Sequence, residues 1–253
     1  MDKDNGYFRS GKGPIIIAIL LSVPILLLAT FIFSTPPRGV TEETLELSTE
    51  ASTTNTARLG NRILSSPDAD YSEPIITASD GKAYFVWKVK NVTDGKSDVS
   101  FTANTINRTR NLSNNTGNVE FPQIAAADDN VHVVWQDKSN GNNDVLFKRS
   151  ANNGSGFSGT RNLSNNTGNS ELPQIAAAGG NVYVVWQDNS NGNNDILFKR
   201  SRNNGSGFSG TRNLSENTGN SELPQIVAAG GNVYVVWQDN TTGDSAIYFI
   251  EIK

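Results

Sequence analysis

Four tryptophans mark a repeat, and the repeat constrains the fold more than any other feature of the chain. Trp87, Trp135, Trp186 and Trp237 each close a similar apolar run (Tyr84-Phe85-Val86, His132-Val133-Val134, Tyr183-Val184-Val185 and Tyr234-Val235-Val236), and they stand 48, 51 and 51 residues apart. The flanks recur too. Arg110-Asn111-Leu112-Ser113 returns at Arg161 and Arg212, and Pro122-Gln123-Ile124 at Pro173 and Pro224, with Pro74-Ile75-Ile76 as the diverged copy. A period near 50 residues belongs to solenoids and propellers. A unit of that size cannot bury both faces of its own sheet, so the copies must pack on one another.

The third copy serves as the pattern. Strand a is read at Pro173–Ala178, b at Asn181–Gln187, c at Asp195–Ser201 and d at Phe208–Ser215. Between them lie Gly179-Gly180, Asn189-Ser190-Asn191-Gly192-Asn193 and Asn203-Asn204-Gly205-Ser206-Gly207, all strong turn compositions. In strand b, Val182, Val184 and Trp186 face one way and Tyr183 and Val185 the other, so the sheet is covered on both sides. Strand a ends in three alanines and suits a crowded axis. The expected architecture is an all-β propeller of four four-stranded blades over residues 61–253. The last copy lacks a strand d after Ile247–Ile252, and Arg62-Ile63-Leu64-Ser65 matches the Arg-Asn-Leu-Ser of that strand. The N-terminal segment is therefore expected to complete the last blade and close the ring, which removes exposed sheet edges. An open stack, or a dimer forming a larger ring, are the alternatives.

Ahead of the repeats, Ile15 to Ser34 form an uncharged, apolar stretch of 20 residues, long enough as a helix to cross a bilayer core. Its poor cleavage site favours an uncleaved signal anchor over a removed signal peptide. Lys3, Arg9 and Lys12 precede it, which sets residues 1–14 in the cytoplasm and the repeats outside the cell membrane as a single-pass protein. Residues 35–60, rich in Ser, Thr and Glu, form a flexible stalk. Asn-x-Ser/Thr triplets at Asn91, Asn107, Asn111, Asn114, Asn153, Asn162, Asn165, Asn204, Asn213 and Asn240 are either glycan acceptors or a by-product of Asn-rich turns. Net charge is −4 with no basic stripe, which argues against a nucleic-acid partner, and with no cysteine there are neither disulfides nor thiolate metal sites.

The turn between strands c and d reads Ser150-Ala151-Asn152-Asn153-Gly154-Ser155-Gly156-Phe157, and again from Ser201 to Phe208. It resembles a degenerate Asp box, the Ser-x-Asp-x-Gly-x-Thr-Trp hairpin of sialidases, with Asn152 and Asn203 at the Asp, Gly156 and Gly207 at the Thr, and Phe157 and Phe208 at the Trp. The unit as a whole is similar to sialidase-like (BNR-type) repeat proteins of ammonia-oxidising archaea. That resemblance implies a propeller and places the Asp box away from any active site.

In such a propeller the d–a and b–c loops share one face, where Glu120, Glu171 and Glu222 recur near strand a and Asp137, Asp188 and Asp239 follow strand b. Three chemistries compete there. Asp188, Ser190, Asn194 and Asp195, in one short loop around Gly192, are candidate calcium ligands, because hard cations take oxygen donors; no other cofactor is implied. Glu120, Glu171 and Glu222 are candidate catalytic groups for glycoside hydrolysis, which takes two carboxylates at the ends of one bond. Against a sialidase, Arg62-Ile63-Leu64 lacks the proline of an Arg-Ile-Pro segment, and the other arginines occupy repeating positions. Against catalysis in general, near-identical blades offer no asymmetric site. The reading favoured from sequence is therefore a non-catalytic binding or adhesion module for a cell-surface glycan or envelope protein, with Asp137, Asp188, Asp239, Glu171 and Glu222 as its ligand contacts. A sialidase-like hydrolase and a structural envelope component are the alternatives. Trp135, Trp186 and Trp237 are assigned to the blade core, His132 to packing in a tyrosine slot, and Lys148-Arg149, Lys199-Arg200, Arg161 and Arg212 to exposed strand positions or cross-strand pairs.

Overall fold

The computed structural model describes residues 63–65, 69–114 and 117–253. The expected tail, anchor and stalk, and Arg62, lie outside the described residues, and among those described no helix is long and apolar enough to cross a membrane. The described chain is all-β, built as four antiparallel sheets in a propeller-like row. The first sheet holds β1 (Ala69–Ser79), β2 (Lys82–Asn91), β3 (Ser97–Ala103) and β4 (Arg110–Asn111); the second holds β5 (Val119–Ala127), β6 (Asn130–Asp137), β7 (Asp144–Ser150) and β8 (Arg161–Asn162). The third holds β9 (Ser170–Ala178), β10 (Asn181–Asp188), β11 (Asp195–Ser201) and β12 (Arg212–Asn213), and the fourth β13 (Ser221–Ala229), β14 (Asn232–Asp239) and β15 (Ala246–Ile252). Each is a meander with its strands in chain order.

The repeated pattern thus becomes a repeated sheet, with two differences in extent. Strand a starts three residues earlier than its proline, and strand d shrinks to Arg212–Asn213, because the Gly/Ser turn before it folds on itself instead of pairing. That turn closes through its own side chains. Ser150 Oγ accepts from Gly154 N at 2.9 Å, Asn152 Oδ1 accepts from Gly156 N at 2.9 Å, and Ser201 and Asn203 do the same one repeat later. Such local bonds offer the backbone an alternative to a ladder.

Alternation along the strands puts apolar residues on both faces, and the sheets stack as expected. Val134, Val145, Phe147 and Leu163 of the second sheet pack on Val182, Val184, Trp186 and Leu197 of the third. Tyr183, Val185, Ile196 and Phe198, on the other face of the third sheet, meet Val233, Val235 and Trp237 of the fourth. Each large side chain buried this way contributes about 1.5–3 kcal/mol. The strand-a elements β1, β5, β9 and β13 contact one another in succession, as innermost strands must.

The ends depart from expectation. The fourth sheet has three strands, and Ile63–Ser65, read as its closing strand, lies outside any strand and beside the first sheet instead, where Thr109 Oγ1 donates to the Leu64 carbonyl at 3.5 Å. Ile76 on the first sheet and Ile247 and Phe249 on the last stay exposed, so these two end faces do not cover one another.

Candidate active site on the loop face

Strand a enters every sheet through a bulge. Pairing slips between Ser72 and Ile75, Glu120 and Gln123, and Glu222 and Gln225, and opposite Glu171 and Gln174 in the third sheet. Inside each bulge one non-glycine residue takes positive φ: Glu73 at 54°, Phe121 at 50°, Leu172 at 50° and Leu223 at 55°. For bulky side chains this is a strained conformation, and bulges of this kind re-aim side chains. The surrounding structure holds the strain: Phe121 N donates to Glu73 Oε2 at 2.6 Å and Leu172 N to Gln136 Oε1 at 3.3 Å, each bond crossing from one blade to the next.

Where the bulges of the second and third sheets meet, a cavity of about 660 Å³ opens, lined by Glu120, Glu171, Gln136, Lys138, Asn118, Asn143, Ser97, Phe121 and Leu172. Two carboxylates from successive blades thus share one polar cavity. Their partners differ. Glu120 stands 3.5 Å from the Lys88 ammonium, which also lies 3.4 Å from Glu73. Glu171 Oε1 accepts from the neutral amide of Asn143 at 2.5 Å. Glu222, the third carboxylate of the expected set, does not line this cavity and is held by Asn194 Nδ2 at 2.8 Å.

Asp137, Asp188 and Asp239 are almost fully buried instead of standing at a rim. Asp188 Oδ2 accepts from Asn166 Nδ2 at 2.7 Å, Ser170 Oγ at 2.6 Å and Trp186 Nε1 at 3.2 Å, while Oδ1 takes the amide and hydroxyl of Ser190. Asp239 repeats the arrangement with Asn217, Ser221, Trp237 and Thr241. Burial works to raise both carboxyls, but these donors outweigh it and hold them below the usual carboxylate range. The loop oxygens read as calcium ligands face protein donors: Asp195 accepts from Asn191 Nδ2 at 2.9 Å and Ser215 Oγ at 3.1 Å, and among the described residues no group of three or more His, Asp or Glu is placed to hold a metal. These loops also interlock between blades, as where Asn142 Nδ2 donates to the Gly168 carbonyl at 2.6 Å.

The tryptophans are core, with Trp135 and Trp186 fully buried. The basic residues are a different matter. Lys148 is buried, not exposed, and Lys199 reaches across to the Leu163 carbonyl at 2.7 Å; burial pushes both amines down, with Arg161 adding to the effect at Lys199. Arg161 donates to the Ser206 carbonyl at 2.9 Å and lies over the Phe208 ring, and Arg110 binds the Ser155 carbonyl likewise, so these arginines brace one blade against the turn of the next. Sequence reasoning missed Glu73, Lys88, the bulge residues and the Asn143 and Asn194 partners. Aligning copies on their prolines would have exposed the first two: Glu73 precedes its proline by one residue where Glu120, Glu171 and Glu222 precede theirs by two, and Lys88 follows Trp87 where the other copies carry glutamine.

No protein-family model matches the chain, and no curated protein matches it. Among solved structures it is similar to a thermostable family-43 glycoside hydrolase (12% identity, TM-score 0.44, 73% of this chain and 72% of that one). It is also similar to the native arabinanase of Bacillus subtilis (16%, 0.41, 72% and 73%) and to an α-L-arabinofuranosidase from Podospora anserina (11%, 0.41, 72% and 63%). All three are described as glycoside hydrolases, which runs against the expectation of a non-catalytic adhesion module that is not an enzyme, and that expectation is not carried further. At these similarities no residue or substrate of theirs transfers to this chain, and hydrolysis has to be argued from its own side chains.

Proposed function

We propose that the chain is a glycoside hydrolase acting on a neutral glycan, with Glu120 and Glu171 as its two acid groups. The observation that carries this reading is the shared polar cavity in which these two carboxylates, from successive blades, have unlike partners, an ammonium for one and a neutral amide for the other. Glycosidic cleavage requires that difference, since one group protonates the leaving oxygen while the other acts as nucleophile or base. The objection that identical blades cannot form an asymmetric site is met by divergence of the first copy: Lys88 and Glu73 belong to that copy alone and border the Glu120 side only. Asn118, Gln136 and Asn143 supply amides suited to sugar hydroxyls. Among the described residues the cavity is lined by one cation, Lys138, and by no arginine, and Arg110 and Arg161 are engaged with backbone carbonyls, so the arginine cluster that a sialoside carboxylate takes is not found there, which favours an uncharged glycan. The same reading places the repeats outside the cell, tethered through residues 15–34, where envelope polysaccharides are met.

The test is turnover of a panel of fluorogenic glycosides, neutral and sialylated, by the full chain and its Glu120→Gln, Glu171→Gln and Glu222→Gln variants. The first two substitutions are expected to lower kcat/KM on a neutral substrate by about 10²–10⁴, and the third to leave it near wild type. No turnover of any glycoside by the folded chain, or equal losses in all three variants, would overturn the proposal.

A further inference from the structure

The two ends of the blade row carry the separated halves of one interface. Within the chain, every contact between sheets has the same form: Tyr183, Val185, Ile196 and Phe198 of one blade cover the face of the next that carries its tryptophan and the isoleucine of strand a. The last blade repeats the first of these faces with Tyr234, Val236, Ile247 and Phe249, and among the described residues no further blade covers it. Ile247 is 76% and Phe249 60% exposed, where Ile196 and Phe198 are 0% and 6%. The first blade repeats the second face with Ile76, Phe85 and Trp87, and Ile76 is 64% exposed where its counterpart Ile124 is 6%.

The edges are complementary as well. In the first three sheets the leucine after strand d donates its N–H to strand c, from Leu112 to Val99, Leu163 to Val145 and Leu214 to Ile196, each at 2.8 Å. The corresponding carbonyl in the last sheet is that of Ile247, and among the described residues β15 has no fourth strand beside it. Leu64, in the sequence that matches strand d, lies along the first blade in an apolar groove of about 410 Å³ with Phe85 and Trp87. It holds the place on that blade that Leu163 holds on the third.

We infer that copies of this chain associate head to tail, the Ile247/Phe249 face of one docking on the Ile76/Phe85 face of the next and Leu64 of the second copy completing the last sheet of the first. The occupant is a second copy because one chain carries both the open edge and the strand that fits it, while its own two ends stand apart. The contact is heterologous, so it propagates into a ring where the rotation closes and into a filament where it does not.

The chain has no cysteine, so Ile76→Cys and Phe249→Cys each introduce one thiol, outside the candidate active site. Purified full-length variants would be treated with a short bis-maleimide and resolved by mass, and the wild-type mass read by light scattering. Expected are a wild-type assembly larger than one chain and a covalent dimer from the mixed variants but from neither variant alone. Phe249→Asp should abolish the assembly with the circular dichroism unchanged. A monomeric wild type would overturn the inference, as would cross-linking of Phe249→Cys with itself. So would a double variant that cross-links only within one chain, which would mean that a single copy closes its own ring.

Discussion

His132 occupies the slot that Tyr84, Tyr183 and Tyr234 fill in the other blades, and its ring stacks on Phe147 at 6.1 Å as Tyr183 stacks on Phe198 and Tyr234 on Phe249. It is 1% exposed and neither ring nitrogen has a hydrogen-bond partner. Burial, with Arg149 adding to it, lowers its pKa to about 4. The unfolded chain therefore binds a proton near pH 6.5 that the folded chain refuses until about pH 4, and stability falls as pH drops through that window, by about 3 kcal/mol at full effect. Urea melts between pH 7 and 4 should show this loss, and His132→Tyr, which restores the sister residue, should flatten it. Asp188 gives the complementary case. Its carboxylate is buried among the donors of Asn166, Ser170, Trp186 and Ser190, so Asp188→Ala should cost about 3–5 kcal/mol, as expected for stranding buried partners. Thermal unfolding checks this; a melt close to wild type would show that Asp188 does not anchor the loop.

At the scale of elements, the loops are rigid because they interlock. Gly168, in the loop before β9, lies so close to the b–c loop that an added Cβ would stand 2.5 Å from Ser190 N and 2.6 Å from its Cα. Backbone cannot step aside as a side-chain tip can, so Gly168→Ala should cost about 1–3 kcal/mol and loosen the loop face beside the cavity. Gly159, in the turn before β8, has open space around it, and Gly159→Ala is the matched control, expected near neutral in the same melts. The bulges act at this scale too. They were not legible in the sequence because Glu-Leu-Pro and Glu-Phe-Pro read as ordinary strand starts; the positive φ at Leu172 and Phe121 arises only when strand a must pair with strand b and meet the neighbouring blade at once. In the third copy strand c was legible to the residue, Asp195–Ser201, since turn compositions bound it on both sides.

For the whole molecule, the decisive quantity is how far each interface turns one blade from the next. Among the described residues the two end faces do not cover one another, and Ile76 and Phe249 stay in solvent. If the ends pair between copies, folding is linked to association, and the thermal midpoint should rise with protein concentration; a midpoint independent of concentration over two decades would count against pairing.

The sequence alone determined the repeat, the number of sheets, the core assignment of the tryptophans and the packing role of His132, because these follow from local periodicity and from composition that each copy states again. The tertiary structure decided which carboxylates share a cavity, that Asp137, Asp188 and Asp239 are buried supports, that Lys148 and Lys199 turn inward, and that the row stays open. Each of these depends on the angle and distance between neighbouring blades. That geometry is set by how whole faces of side chains fit together, and no spacing along one strand encodes it.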